Sequence, residues 1–256
     1  TAPGATPGDG LADLAGLRAA YARDGFVLVR GLLPPAEVRA LLCGIDRLLC
    51  AKLPGAAPSA PGAVADELHA KVLALAAHDR PALGRVYDAM RKLAPFWRLV
   101  TVVTDAYAAL AEAAAPGVVF RGCGIRLDLP DEDRWRSPWH QEYHAQMSSL
   151  DGATAWFGLV PVTHDMGPVE LLRGSHRAGL LPVRCPDPMN RARDYTQAMR
   201  LVDEEALRAA YPSARLETEA GDVLFLHFLT VHQSGWNRSA GRSRVTCQVR
   251  MFDMAD

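Results

Sequence analysis

The chain has 256 residues, with 49% hydrophobic and 22% charged residues, enough apolar material for a full buried core. Its formal net charge is -1, so no overall basic field points to nucleic acid or an acidic membrane surface. The five cysteines, Cys43, Cys50, Cys123, Cys185 and Cys247, are odd in number and form no C-x-x-C, which argues against a disulfide framework or a cysteine zinc site and fits a reducing cytoplasm. No run of 18 or more apolar residues is present, so no membrane span is expected.

Residues 1–10 are rich in Ala, Pro and Gly, lack the charged and apolar regions of a signal peptide, and read as a loose tail. An amphipathic helix is expected over 11–24, with Leu11, Leu14, Leu17 and Tyr21 on one stripe and Gly25 as its stop. Phe26 to Val29 reads as a short strand. Pro34-Pro35 opens a second helix, whose stripe of Val38, Leu41, Leu42, Ile45, Leu48 and Leu49 follows the 3.6-residue period. A Pro/Ala/Gly linker spans 52–65, and two helical stretches follow over roughly 67–92 and 97–114. After Pro116 the character changes to short strand-like runs at 118–120, 124–129, 153–159, 169–172, 223–227 and 245–252, separated by turn residues. This pattern predicts a mainly β fold with N-terminal helices, its core a jelly roll or barrel. One domain is expected over 1–256, mostly helical over 11–115 and β over 116–256. The long polar segment 186–213 between strand runs is expected to be a lid over a site.

Chemistry concentrates at two places. In Trp139-His140-Gln141-Glu142-Tyr143-His144, extended backbone puts His140, Glu142 and His144 on one face, roughly 6.5–7 Å apart. Their imidazole and carboxylate tips can converge on one ion. Downstream, Gly221 to His227 reads as a turn entering a strand, and His232 lies where that strand gives way to a turn-rich segment, a natural place for a ligand. His227 reads as an ordinary strand histidine, and His164 and His176 as structural or surface residues. Arg242, ten residues past His232, begins the last strand run. A guanidinium there can grip a carboxylate with two parallel hydrogen bonds. Two imidazoles and a carboxylate form the facial triad of non-haem iron(II) oxygenases, which leaves open positions for chemistry. Arg126 and Asp128 alternate on the strand before the triad, as cavity residues or as an ion pair on the strand face.

The order of these motifs resembles the phytanoyl-CoA dioxygenase family of iron(II)/2-oxoglutarate enzymes. The resemblance runs from about Tyr21 to Phe252 through YARDGFVLVRGLLPPAEVRALL, WHQEYH, TAWFGLVPVTHDMGPVELLRGSH and GDVLFLHFLTVHQSGWNRSAGRSRV. It implies a double-stranded β-helix, the cupin-like form of the jelly roll. It also implies His140, Glu142 and His232 as iron ligands, and Arg242 as the partner of the 2-oxoglutarate carboxylate remote from iron, with Ser234 as a polar helper. Gln141 and Trp156 match positions that line the cosubstrate pocket in some members. Arg244, two residues on, is the rival anchor. One departure stands out: Glu142 occupies a position that is usually Asp. Halogenases on this scaffold carry Ala or Gly there, so the departure does not point to halogenation.

The resemblance thus implies a dioxygenase that takes Fe(II), 2-oxoglutarate and O2 and oxidises, by default hydroxylates, a C–H bond of a small molecule with release of succinate and CO2. The breadth of the family suggests secondary metabolism. No nucleic acid or membrane partner is expected, and the substrate is not readable. Two alternatives stay open: a cupin-like metalloenzyme using His140, Glu142 and His144 without 2-oxoglutarate, and a non-catalytic β-barrel binding module.

Overall fold

In the computed structural model, residues 9–119, 122–133, 136–142, 149–184 and 200–256 are described. Helix α1 (Leu14–Asp24) is capped by the Asp13 side chain, which accepts from Gly16 N–H. It ends at Gly25, whose φ of 77° is left-handed and whose N–H donates to Tyr21 O. A Cβ at Gly25 would lie 2.4 Å from His176 Nδ1, so glycine is required here for space as well as for backbone shape. Strand β1 (Phe26–Val29) follows directly.

Helix α2 (Pro35–Cys50) buries Val38, Leu41, Leu42, Ile45 and Leu49, the stripe its periodicity predicts. The expected stretch over 67–92 is two helices, α3 (Val64–His78) and α4 (Arg80–Met90). Asp79 breaks it: its side chain caps α4 by accepting from Ala82 N–H at 2.9 Å, and Pro81 occupies the first turn. Helix α5 (Ala94–Ala111) completes the helical layer, which packs on the sheet through α5 against β11 (Arg244–Asp253). No described helix is long and apolar enough to cross a membrane.

The remaining strands are β2 (Pro116–Val118), β3 (Gly124–Asp128), β4 (Gly152–Gly158), β5 (Glu170–Leu172), β6 (Val183–Arg184), β7 (Arg200–Leu201), β8 (Ser213–Arg215), β9 (Val223–His227) and β10 (His232–Gln233). Helix α6 (Glu204–Ala210) lies between β7 and β8. All ladders among the described residues are antiparallel. The larger sheet runs β1-β9-β4-β11, and the far edge of β11 pairs first with β3 and then with β2. A second sheet runs β10-β5-β8. The fold is a jelly-roll core with helices packed on one side. Of the expected lid, residues 186–199 lie outside the described residues, and 200–213 hold β7 and α6, so that part is regular structure rather than a continuous loop.

Alternation along β11 separates two chemistries. Val245, Cys247, Val249 and Met251 are fully buried and pair with Leu127, Phe157, Ala155 and Ala153, the apolar core beneath the helices. Arg244, Thr246, Gln248 and Arg250 take the other face. Across the ladders this face continues through Asp128, Arg126, Thr154 and Trp156. It is the face that turns inward, toward the second sheet.

Candidate metal centre

Two short pairings build the centre. His140 and His232 stand opposite each other in an isolated antiparallel bridge: His140 N–H donates to His232 O at 2.9 Å, and His232 N–H returns the bond to His140 O at 3.0 Å. Directly opposed residues project to the same side, and the two rings lie 4.2 Å apart between centroids. Glu142 N–H donates to Phe228 O at 2.9 Å, which keeps 140–142 extended and places the Glu142 side chain on the face of His140.

The three tips meet. Glu142 Oε1 lies 3.4 Å from His232 Nε2 and 3.9 Å from His140 Nε2, and one ligand atom from each residue lies within 4.8 Å of the others. Neighbouring ligands of an ion with bonds of about 2.1 Å stand roughly 3 Å apart, so movements of about an ångström bring this trio onto one ion. The proton positions suit a metal. His140 Nδ1 lies 2.7 Å from Pro138 O, and His232 Nδ1 lies 2.9 Å from Thr230 O. A carbonyl only accepts, so both Nδ1 atoms carry the proton and both Nε2 atoms present a lone pair to the centre. Burial, reinforced by neighbouring His232, pulls the His140 pKa down to about 4, so this ring is neutral at ordinary pH. Burial alone would push the Glu142 carboxyl up. The charge of Arg250 and the hydrogen bonds it donates outweigh this and hold the group well below its usual value. A neutral-imidazole, carboxylate donor set of this kind fits a divalent iron.

A small cavity opens beside these atoms. Its lining comes from both sheets: Thr154 and Trp156 on β4, Leu226 on β9, Gln248 and Arg250 on β11, and His232 and Gln233 on β10. Ser234 and Trp156, both expected near a cosubstrate, line this cavity.

Gln141 is not brought there. It is buried on the opposite side, where its amide donates to Gly179 O and Leu229 O and accepts from Leu181 N–H. The alternation that pairs His140 with Glu142 turns the residue between them away. Arg242 is not brought there either. It precedes the β11 ladder, next to Gly241 (φ 75°), and its half-exposed side chain donates to Asp165 at 2.7 Å. It faces a separate surface groove with Asp66 and His69. Arg244 takes the inward position. It is buried, donates from Nε and Nη2 to Asp128 Oδ2 at 3.1 and 2.9 Å, and reaches Gly167 O and Gly235 O beside Ser234.

Asp128 also accepts from Arg126 at 2.7 Å. Burial opposes its ionisation, but Arg126 and Arg244 overcome this and hold the carboxyl far below its usual range. Arg126 and Asp128 thus form an ion pair on the strand face, one of their two expected roles. His227 bonds to Asp151 and to Leu229 N–H, away from the centre. His144 lies outside the described residues.

Sequence reasoning missed Arg250, Gln248 and Thr154. The signal was available: RVTCQVR alternates polar and apolar residues, so the phase that makes Arg244 inward makes Gln248 and Arg250 inward too.

A model of the family described as Phytanoyl-CoA dioxygenase (PhyH) matches residues 21–246. No curated protein matches the chain. Among solved structures, the epimerase SnoN from nogalamycin biosynthesis, described in complex with Fe3+, alpha ketoglutarate and nogalamycin RO, is 23% identical with a TM-score of 0.65, covering 94% of this chain and 84% of its own. The carbocyclase SnoK from nogalamycin biosynthesis is 20% identical with a TM-score of 0.58, covering 98% and 87%. EvdO2 from Micromonospora carbonacea var. aurantiaca, complexed with 2-oxoglutarate, is 21% identical with a TM-score of 0.55, covering 94% and 93%. At these identities the likeness is one of fold.

Proposed function

The chain belongs to the phytanoyl-CoA dioxygenase family, and from that premise we propose that it is an iron(II)- and 2-oxoglutarate-dependent oxygenase acting on a C–H bond of a small molecule. The observation that carries this reading is the convergence of His140 Nε2, His232 Nε2 and Glu142 Oε1 beside a cavity, with both imidazoles fixed in the ligating tautomer. Iron bound there with a 2-oxo acid and O2 supplies an oxidant strong enough to remove hydrogen from carbon, releasing succinate and CO2.

The chain's own residues bind and orient. His140, Glu142 and His232 would hold the ion through three protein ligands, a set that leaves positions free for cosubstrate. The cosubstrate's remote carboxylate is desolvated in the barrel and needs a buried cation. Arg244, rather than Arg242, meets that need: it is buried and in phase with the cavity-lining side chains, whereas Arg242 is half exposed and paired with Asp165. Ser234 lines the cavity next to Gly235, whose carbonyl Arg244 reaches. Trp156, Val169 and Leu226 add apolar wall.

Hydroxylation is the default outcome. Because an epimerase and a carbocyclase are among the similar folds, other outcomes of the same C–H cleavage belong to the test. Purified protein with Fe(II), O2 and 2-oxoglutarate is assayed for succinate against a panel of candidate small molecules, with the mass of each product recorded. Iron-dependent succinate supports the reading. A gain of sixteen mass units marks hydroxylation, a loss of two marks desaturation or ring closure, and no change marks epimerisation. Absence of iron-dependent turnover of 2-oxoglutarate, with and without substrates, counts against it.

A further inference from the structure

Glu142 is one methylene longer than the aspartate the family resemblance leads one to expect. A longer arm has an extra rotatable bond and more readily brings both oxygens onto one ion. That would fill a coordination position that a cosubstrate needs. β11 carries a restraint on this arm. Arg250 grips the carboxylate side-on, Nε donating to Oε2 at 2.5 Å and Nη2 to Oε1 at 2.7 Å. The guanidinium is itself held: Nη1 donates to Gly122 O at 2.8 Å and Nη2 to Gln248 Oε1 at 3.1 Å. Both partners are largely buried, with side chains 14% and 4% exposed, so little water competes for the pair.

The two carboxylate oxygens are therefore unequal. Oε2 faces Arg250 Nε. Oε1 is the atom nearest both imidazoles, at 3.4 and 3.9 Å from their Nε2 atoms, and it keeps a second lone pair after accepting from Nη2. We propose that Arg250 is a positioning residue that restricts Glu142 to ligation through one oxygen, so that the longer carboxylate occupies a single position on the metal. The proposal rests on the metal-centre reading above. A planar fork is needed for this task. A lysine at 250 offers a point charge that can hold one oxygen while leaving the carboxylate free to rotate.

The test uses Co(II) in place of iron, because its visible absorption weakens as ligands are added. Wild type, Arg250→Gln and Arg250→Lys are titrated with Co(II) without 2-oxoglutarate, and then with it. Wild type is expected to bind one Co(II) per chain. In Arg250→Gln the Co(II) bands weaken before any cosubstrate is present, because Glu142 chelates, and the affinity of the Co(II)-loaded protein for 2-oxoglutarate then falls about ten-fold or more, the scale set by residues that orient metal ligands. Arg250→Lys is expected to lie between. If the glutamine variant does not fold, the lysine variant carries the same comparison. A Co(II) spectrum in the folded variants identical to wild type overturns the proposal, whatever happens to cosubstrate affinity. Failure of wild type to bind Co(II) overturns the metal-centre reading beneath it, a distinguishable result.

Discussion

Arg244 and Arg250 stand six residues apart on one face of β11, and each meets a carboxylate, partly buried at Asp128 and buried at Glu142. The third parties differ. Around Glu142 the neighbours are two imidazoles whose lone pairs face inward, so acceptors converge. Around Asp128 the neighbour is a second guanidinium, Arg126, so donors converge. Acceptors gathered around Glu142 suit a cation, and donors gathered around Asp128 suit an anion. A carboxylate–arginine pair is thus neutral as to function on its own, and what else points at it decides which ligand it favours.

The largest effect expected from breaking this arrangement is at the acceptor end. His232→Ala or Glu142→Ala removes a ligand itself, and metal affinity should fall by more than about 100-fold, beyond the range for residues that merely orient ligands. Calorimetric titration with Fe(II) under anaerobic conditions reads it. Affinity within a few-fold of wild type would remove these residues from the centre.

At the donor end, Arg244→Ala should leave a buried carboxylate of bound 2-oxoglutarate unpaired, costing about 3–5 kcal/mol, or several hundred-fold in affinity. Arg242→Ala breaks an exposed pair with Asp165 and should change affinity by less than about five-fold, given 0–1 kcal/mol for such pairs. The Michaelis constants for 2-oxoglutarate compare the two directly. A large effect in Arg242→Ala alone would restore that residue as the anchor.

A smaller effect separates the ends by pH. The Asp128 carboxyl is held below its ordinary value of 3.8, so the stabilisation from its ionised form is fully present above about pH 4 and is lost as pH falls toward its lower folded value. The stability gap between wild type and Asp128→Asn, read by urea unfolding, should be constant from pH 5 to 7 and shrink below pH 4. A gap that widens on acidification would contradict the ionised state assigned to Asp128.

The smallest expected effect concerns two hydroxyls. Among the described residues, Thr154 Oγ1 and Thr246 Oγ1 are buried without a hydrogen-bond partner, and Thr154 lines the cavity. Replacing either by valine should raise the stability of the metal-free protein by about 1 kcal/mol, by removing an unsatisfied polar group. Only Thr154→Val should weaken ligand binding. Thermal unfolding with and without Fe(II) and 2-oxoglutarate reads both.

Much of the architecture was legible in sequence because its signals are periodic. The α2 stripe, the turn-bounded strands and the His140/Glu142 alternation all follow from side-chain periods of 3.6 and 2. The Asp79–Pro81 break was equally visible as a cap followed by proline, yet α3 and α4 read as one stretch because their apolar residues are continuous. The second sheet was harder: β8 and β10 have three and two residues, too few for a period. Arg242 was favoured by its distance from His232, but spacing along a chain does not say where a ladder begins. That is set by Asp128, paired with Arg244 from 116 residues away. Gln141 was assigned by resemblance against its own alternation, and the alternation prevailed.

In the proposed arrangement the acceptors around Glu142 hold a metal and Arg244, further along the same face of β11, holds the remote carboxylate of a 2-oxo acid. It is tested most directly by anaerobic titration of 2-oxoglutarate into wild type and Arg244→Ala, each with and without Fe(II). The account predicts one 2-oxoglutarate per chain in iron-loaded wild type, affinity weakened at least ten-fold without iron, and affinity several hundred-fold weaker in iron-loaded Arg244→Ala. Binding that is indifferent to both iron and Arg244, or no binding to the iron-loaded wild type, would contradict it.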